Sequence, residues 1–181
     1  MIDRETAADM TSGRVVLALG SNLGDRLENL QGAVDALFDT PKLTFVAVSP
    51  VYQTRPVGGP PQPDYLNAVV IAATAEPAQT VLKLAQGVEK AFHRTRQVRW
   101  GPRTLDVDII VRGDEVSDDP ELTLPHPRAH ERAFVLSPWL DADPDAELPG
   151  RGRVADLLPG VSSAGVRRRG DLAIRPPKRL P

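Results

Sequence analysis

Apolar and polar positions divide the chain into segments of two different periods. Arg14-Val-Val-Leu-Ala-Leu19 is an apolar run stopped by Gly20-Ser-Asn22 and predicts a buried strand. From Asp25 to Phe38 the apolar residues fall at Leu27, Leu30, Val34, Leu37 and Phe38, the spacing of an amphipathic helix. Leu43 to Tyr52 alternates and is rich in β-branched and aromatic residues, so it predicts a strand. Residues 54–63, TRPVGGPPQP, predict an irregular loop, because proline removes backbone donors and glycine loosens the chain. Tyr65 to Ala75 is a second long strand. Pro77 opens a helix continued by Val81, Leu84, Ala85, Val88 and Phe92. A basic, irregular stretch from His93 to Arg103 leads into a central strand, Leu105 to Val111. Leu122 to Pro125 predicts a short strand, and a helix is expected from about Glu131 to Leu140, with Pro138 near its end.

The order strand, helix, two strands, helix, strand is a ferredoxin-like α+β pattern, βαββαβ. It predicts a single domain with a mainly antiparallel sheet and helices covering one face. Residues 1–13 are expected to be a loose polar extension, 14–160 the domain, and 161–181 a basic, proline-rich tail without regular structure. Arg167-Arg-Arg169 could touch nucleic acid or acidic lipid, but no aromatic is interleaved, so a solvated tail is the expectation.

Composition narrows the chemistry. The 181 residues contain no cysteine, which excludes disulfides and thiolate metal sites, and the net charge of −2 gives no reason to expect nucleic acid. No apolar run is long enough for a membrane span, and the N-terminus lacks the apolar core of a signal peptide, so a cytoplasmic location is expected. A chain of this size with no obvious exposed apolar helix is expected to be a monomer.

Asp106 and Asp108 lie two apart on a predicted strand, so both carboxylates project from one face while Leu105, Val107 and Ile109 project from the other. Two carboxylates this close repel, and a hard cation such as Mg²⁺ relieves the repulsion. Alone, the pair fits an edge strand with solvent-facing acids better than a metal site. Arg94, Arg96, Arg99 and Arg103 lie just upstream, and cations beside a metal-binding pair suit polyphosphate transfer. No GxxxxGK[ST] loop is present, so this is not a P-loop enzyme. Gly20-Ser-Asn-Leu-Gly24 could attract an anion at a helix start, or simply form a turn capped by Asn22 or Asp25. Tyr65 and Asn67 share a strand face, and Asn67 offers a donor and an acceptor to a heterocycle edge, with Trp100 and Phe134 as flat surfaces. Ordinary core packing explains the aromatics as well. His126 and His130 have a metal-like spacing, but Pro125 and Pro127 argue against the helix it needs, so His126 is read as a phosphate donor or a loop residue.

Together, Leu19-Gly-Ser-Asn22, Tyr52-Gln-Thr-Arg-Pro-Val-Gly58, Gln62-Pro-Asp-Tyr-Leu-Asn-Ala68, Arg99-Trp-Gly-Pro-Arg-Thr-Leu-Asp-Val-Asp108 and Leu122-Thr-Leu-Pro-His126, with Arg132 and Phe134 beyond, resemble the 6-hydroxymethyl-7,8-dihydropterin pyrophosphokinase family across about residues 14–160. The resemblance implies transfer of pyrophosphate from ATP to the pterin hydroxymethyl group in folate biosynthesis. It implies that Asp106 and Asp108 hold two Mg²⁺ ions, and that Arg94 and Arg96 sit on a loop closing over the phosphates. It places Arg103, Gln86, Glu89, Ile109, Thr123, His126 and Arg132 around ATP. Thr54, Val57, Tyr65, Asn67, Trp100 and Phe134 would form the pterin pocket. Pro127 and Glu121 depart from the family pattern, standing where some members carry an aromatic and a base. A binding module that kept the pocket and a metal-dependent phosphohydrolase are the rival readings.

Overall fold

The computed structural model describes residues 13–56, 58–93 and 103–178. Its elements begin with strand β1 (Arg14–Ser21) and helix α1 (Arg26–Leu37), whose first turn is capped by the Asp25 carboxylate accepting from the Glu28 amide at 3.1 Å. Strands β2 (Thr44–Val48), β3 (Tyr52–Thr54) and β4 (Tyr65–Ala73) follow, then helix α2 (Ala78–Phe92) and strand β5 (Asp106–Arg112). A hairpin of β6 (Ser117–Asp119) and β7 (Leu122–Leu124) leads to helix α3 (Ala133–Ala142), which contains Pro138. Two short strands, β8 (Glu147–Leu148) and β9 (Gly152–Arg153), a turn of helix α4 (Val154–Leu157) and strand β10 (Val166–Arg168) complete the chain.

The main sheet runs β10-β3-β4-β1-β5, with β2 also against β4, and every pairing in it is antiparallel. This is the expected α+β, βαββαβ core, with its second strand divided. The single strand expected over 43–52 breaks at Ser49-Pro50, because proline has no amide to give to a ladder. Ser49 holds the broken chain to β4: its amide donates to Val69 O at 2.9 Å, and its hydroxyl accepts from the Val69 amide at 2.8 Å. β2 therefore pairs with one end of β4 and β3 with the other.

Helices cover both faces of the sheet, which corrects the expectation of one. On one side Leu17, Leu19, Leu66, Ala68, Val70, Val107 and Ile109 pack on Leu30, Ala33, Val34 and Leu37 of α1 and on Val81, Ala85 and Val88 of α2. On the other, Val16, Val69, Ile71 and Ile110 pack on Val135, Leu136 and Trp139 of α3. β4 is buried at seven of its nine positions, so its two apolar faces both need cover.

The C-terminal segment also differs from expectation. β10 joins the sheet against β3, and Leu172 and Ile174 enter the core beneath α1 and α2. Beyond them the Arg175 amide donates to Gln31 Oε1 at 2.8 Å, and Gln31 Nε2 donates to Arg175 O at 3.1 Å. Arg167 and Arg168 do remain exposed, as their composition implies, but a strand edge recognises backbone, which composition does not register. The N-terminal extension lies outside the described residues apart from Gly13.

Candidate active site

Register across the sheet assembles the site. Gly20 of β1 lies opposite Asn67 of β4 on one side and Asp106 of β5 on the other, and Asn67 lies opposite Tyr52 of β3. One row therefore reads Tyr52, Asn67, Gly20, Asp106. Asp108 sits beside Ala18, and Thr54 beside Tyr65. By strand alternation these side chains share the face that α3 covers further along, with Val16, Val69, Ile71 and Ile110 under the helix. The face thus has an apolar half under α3 and a polar half carrying the two carboxylates.

The row is ordered by hydrogen bonds and by a missing side chain. Buried Asn67 donates from Nδ2 to Thr54 Oγ1 at 2.7 Å, which fixes the direction of its amide. A Cβ on Gly20 would stand 3.2 Å from Asn67 Oδ1 and 3.5 Å from the Tyr65 ring. Glycine at this position keeps the space between amide and ring open.

Asn22 ties three segments together. Its Nδ2 donates to Gln62 Oε1 at 2.9 Å and to Pro63 O at 3.0 Å, and its Oδ1 accepts from the Arg103 amide at 2.7 Å. Its own amide donates to Arg103 O at 3.0 Å. This buried side chain positions both the proline-rich loop and the entrance to β5. The sequence offered Asn22 only as a helix cap, and Asp25 takes that role instead.

Electrostatics centre on the acidic pair. Burial, reinforced by the Asp108 charge, pushes the Asp106 carboxyl up to about 6, opposed by Arg103 and His93. Burial likewise raises Glu89 to about 7, although it accepts from the Val107 amide at 3.2 Å, with Asp106 and Asp108 adding to the rise. Burial raises the Tyr65 hydroxyl, as does the Asp106 charge. His126 and Arg132 are both lowered by burial and both feel the opposing pull of Asp108. The Arg128 amide donates to His126 Nδ1 at 3.2 Å, so the neutral ring carries its proton on Nε2. The Arg132 guanidinium lies 5.5 Å from the centre of the Phe134 ring. His93, which the sequence left unassigned, anchors the start of β5 through a 2.7 Å contact between its Nε2 and Leu105 O.

Asp106, Asp108, Arg103, Tyr65, His126 and Arg132 are thus linked through the field of one acidic pair, with Asn67 and Thr54 in the same sheet face. Other expected residues sit further out. Gln86 is exposed on α2, Thr123 of β7 donates to Asp119 O at 3.0 Å, and Ile109 points into the core beneath α1 and α2, leaving only its backbone for a ligand. Val57, Arg94, Arg96 and Trp100 lie outside the described residues. Among the described residues no group of three or more acidic or histidine side chains could hold a metal ion. The pair of aspartates fits Mg²⁺, which usually takes one or two carboxylates and completes its shell with water and phosphate oxygens. A cation would relieve both causes that raise Asp106, first its burial as a charge and then its repulsion by Asp108.

Comparisons with known proteins bear on the chain as a whole. The chain is 52% identical over 151 residues to the 2-amino-4-hydroxy-6-hydroxymethyldihydropteridine pyrophosphokinase of Mycobacterium leprae, covering 77% of each chain. It is 41% identical over 155 residues to the Pseudomonas aeruginosa protein of the same name, covering 86% of this chain and 96% of the relative. In fold it resembles the wild-type Plasmodium falciparum HPPK-DHPS structure with pterin and p-hydroxybenzoate, at a TM-score of 0.62 and 14% identity. That match covers 86% of this chain, which spans 44% of the HPPK-DHPS chain. The family profile described as 7,8-dihydro-6-hydroxymethylpterin-pyrophosphokinase (HPPK) matches residues 16–144, the stretch that includes both aspartates and the polar row, and the chain belongs to that family.

Proposed function

We propose that this chain transfers pyrophosphate from ATP to 6-hydroxymethyl-7,8-dihydropterin, giving the pterin pyrophosphate and AMP, in folate biosynthesis. The observation that supports it best is the polar half-face, where an acidic pair flanked by Arg103, His126 and Arg132 adjoins an oriented amide beside an aromatic ring. One end suits a metal-bound polyphosphate and the other a flat heterocycle.

In this reaction the pterin hydroxyl oxygen forms a bond to the β-phosphorus, the bond from the β-phosphorus to the α,β-bridging oxygen breaks, AMP leaves with that oxygen, and the hydroxyl proton is released. Asp106 and Asp108 would hold two Mg²⁺ ions. Ions held there would polarise the hydroxyl and offset phosphate charge. Arg103 and Arg132 supply fixed positive charge to the triphosphate, and His126 offers its Nε2 proton to a phosphate oxygen. Thr54 orients Asn67 for the pterin edge, with Tyr65 and Phe134 contributing apolar surface. Gln86, Glu89, Ile109 and Thr123 would flank the nucleotide. Val57, Trp100, Arg94 and Arg96 enter on the family resemblance, Trp100 as a second face for the pterin ring and the arginines as closing cations. No helix among the described residues is long and apolar enough to cross a membrane. The exposed large apolar side chains Leu23, Val46 and Val116 are scattered over separate segments. The scatter supports a monomer, and a cytoplasmic location belongs to the same reading as the folate-biosynthesis role.

Supplying ATP and Mg²⁺ with and without the hydroxymethyl pterin tests the proposal. Pterin-dependent AMP release is expected. Equal release without pterin would identify a hydrolase, and no release a binding module.

A further inference from the structure

Residues beyond the family match at 16–144 reach the polar half-face from outside, through β10. β10 extends the sheet past β3, placing Val166 opposite Thr54, Arg167 opposite Gln53 and Arg168 opposite Tyr52. The backbone pairing continues one residue beyond the strand. The Arg169 amide donates to Val51 O at 2.8 Å, and its side chain is held by a two-pronged pair with Asp171, at 2.9 Å from Nε to Oδ1 and 2.7 Å from Nη2 to Oδ2.

Held in this way, Arg169 donates from Nη1 to Gln53 Oε1 at 2.5 Å. Gln53 passes the contact on, because its Nε2 donates to Asp64 Oδ2 at 2.8 Å. Asp64 closes the proline-rich loop immediately before Tyr65, and Arg26 Nη1 donates to its carbonyl at 2.8 Å. The Gly165 carbonyl accepts from the Arg55 amide at 3.0 Å, fixing the other end of the loop just after Thr54. Both loop ends are therefore bonded, directly or through Gln53, to a segment that the family match does not include. The acidic pair lies on the far side of β1 from this edge.

We infer that Arg169 is a positioning residue for the pterin pocket. Through Gln53 and Asp64 it sets the register of the loop between Thr54 and Tyr65, and so the placement of the pocket's walls, without touching ATP. The inference rests on the pterin reading of Thr54, Tyr65 and Asn67. Glutamine suits the middle of the relay because its oxygen accepts from Arg169, and at 3.3 Å from exposed Arg167, while its nitrogen donates to Asp64.

The test is equilibrium titration of hydroxymethyl dihydropterin into the full chain, with KM values for both substrates and the melting temperature. For Arg169→Ala, losing one charge-assisted bond should weaken pterin binding and raise the pterin KM about five- to tenfold. The ATP KM and kcat should stay within about twofold, the pattern of a lost binding contact. Arg169→Lys should recover part of the affinity. Asp64→Ala should weaken pterin binding too, and combining it with Arg169→Ala should add little, since both act through one relay. Unchanged pterin affinity in Arg169→Ala would overturn the relay while leaving the pocket reading intact. A parallel rise in both KM values with a lowered melting temperature would overturn it as well, showing only general loosening. Failure of the wild-type chain to bind the pterin would overturn the pocket reading and the relay with it.

Discussion

The sheet face under α3 has two halves that use the same strands for opposite ends. Val16, Val69, Ile71 and Ile110 sit under the helix, pack against Trp139 and Leu136, and stabilise the fold. A few residues along the same strands stand Gly20, Asn67, Asp106 and Asp108, a space where a side chain could be, an amide, and two carboxylates that repel. The first half gains from burial. The second loses by it, as the raised Asp106 carboxyl records. The contrast teaches that alternation positions both halves, while only the end of α3 decides where packing stops and chemistry begins. Stability and activity should therefore separate by position along a strand.

Substitutions in the packed half should show the largest effects on stability. Trp139→Ala is expected to lower unfolding free energy by about 3–5 kcal/mol, measured by denaturant titration, because a fully buried ring leaves a cavity. A loss below about 1 kcal/mol would mean that α3 is not a structural lid. At the boundary between loop and sheet, Asn22→Ala should cost about 2 kcal/mol by stranding the polar groups of Arg103, Gln62 and Pro63 that it now satisfies.

In the polar half the sign reverses. The folded-state value of about 6 for Asp106 lies above its ordinary value of 3.8, so the folded chain binds more protons between these values and loses stability as pH rises through that window. Asp106→Asn removes the loss and should stabilise the metal-free chain by about 1–2 kcal/mol above pH 6, with no gain below about pH 4. A pH series of chemical denaturation in the presence of chelator checks this, and equal curves at all pH values would refute the penalty from burial and repulsion. Gly20→Ala should have the smallest stability effect, under about 1 kcal/mol, since its Cβ presses on groups that can give by a few tenths of an ångström. It should nonetheless raise the pterin KM several-fold by shifting Asn67 Oδ1, whereas an unchanged KM would remove Gly20 from the pocket.

Much of this was legible in the sequence because it depended on period. The spacing of Leu27, Leu30, Val34 and Leu37 fixed α1, and the two-residue alternation of Asp106 and Asp108 placed both carboxylates on one face. Hidden features depended on the partner. The second apolar face of β4 became visible only with α3 in place, because a buried strand reads as a continuous apolar run. The bonds of Asn22 span about forty residues to Gln62 and eighty-one to Arg103, a separation that no local pattern records. The C-terminal segment read as solvated because Arg167 and Arg168 are exposed, while its backbone pairs with β3 and Ile174 enters the core.

One comparison within a single preparation tests the account most directly: pterin-dependent AMP release and melting temperature of Asp108→Asn against the wild type. A carboxylate that serves the reaction and not the packing predicts AMP release reduced about a thousandfold or more, with a melting temperature equal to or above that of the wild type. Near-normal AMP release by this variant would contradict the assignment of the acidic pair as the centre of the site.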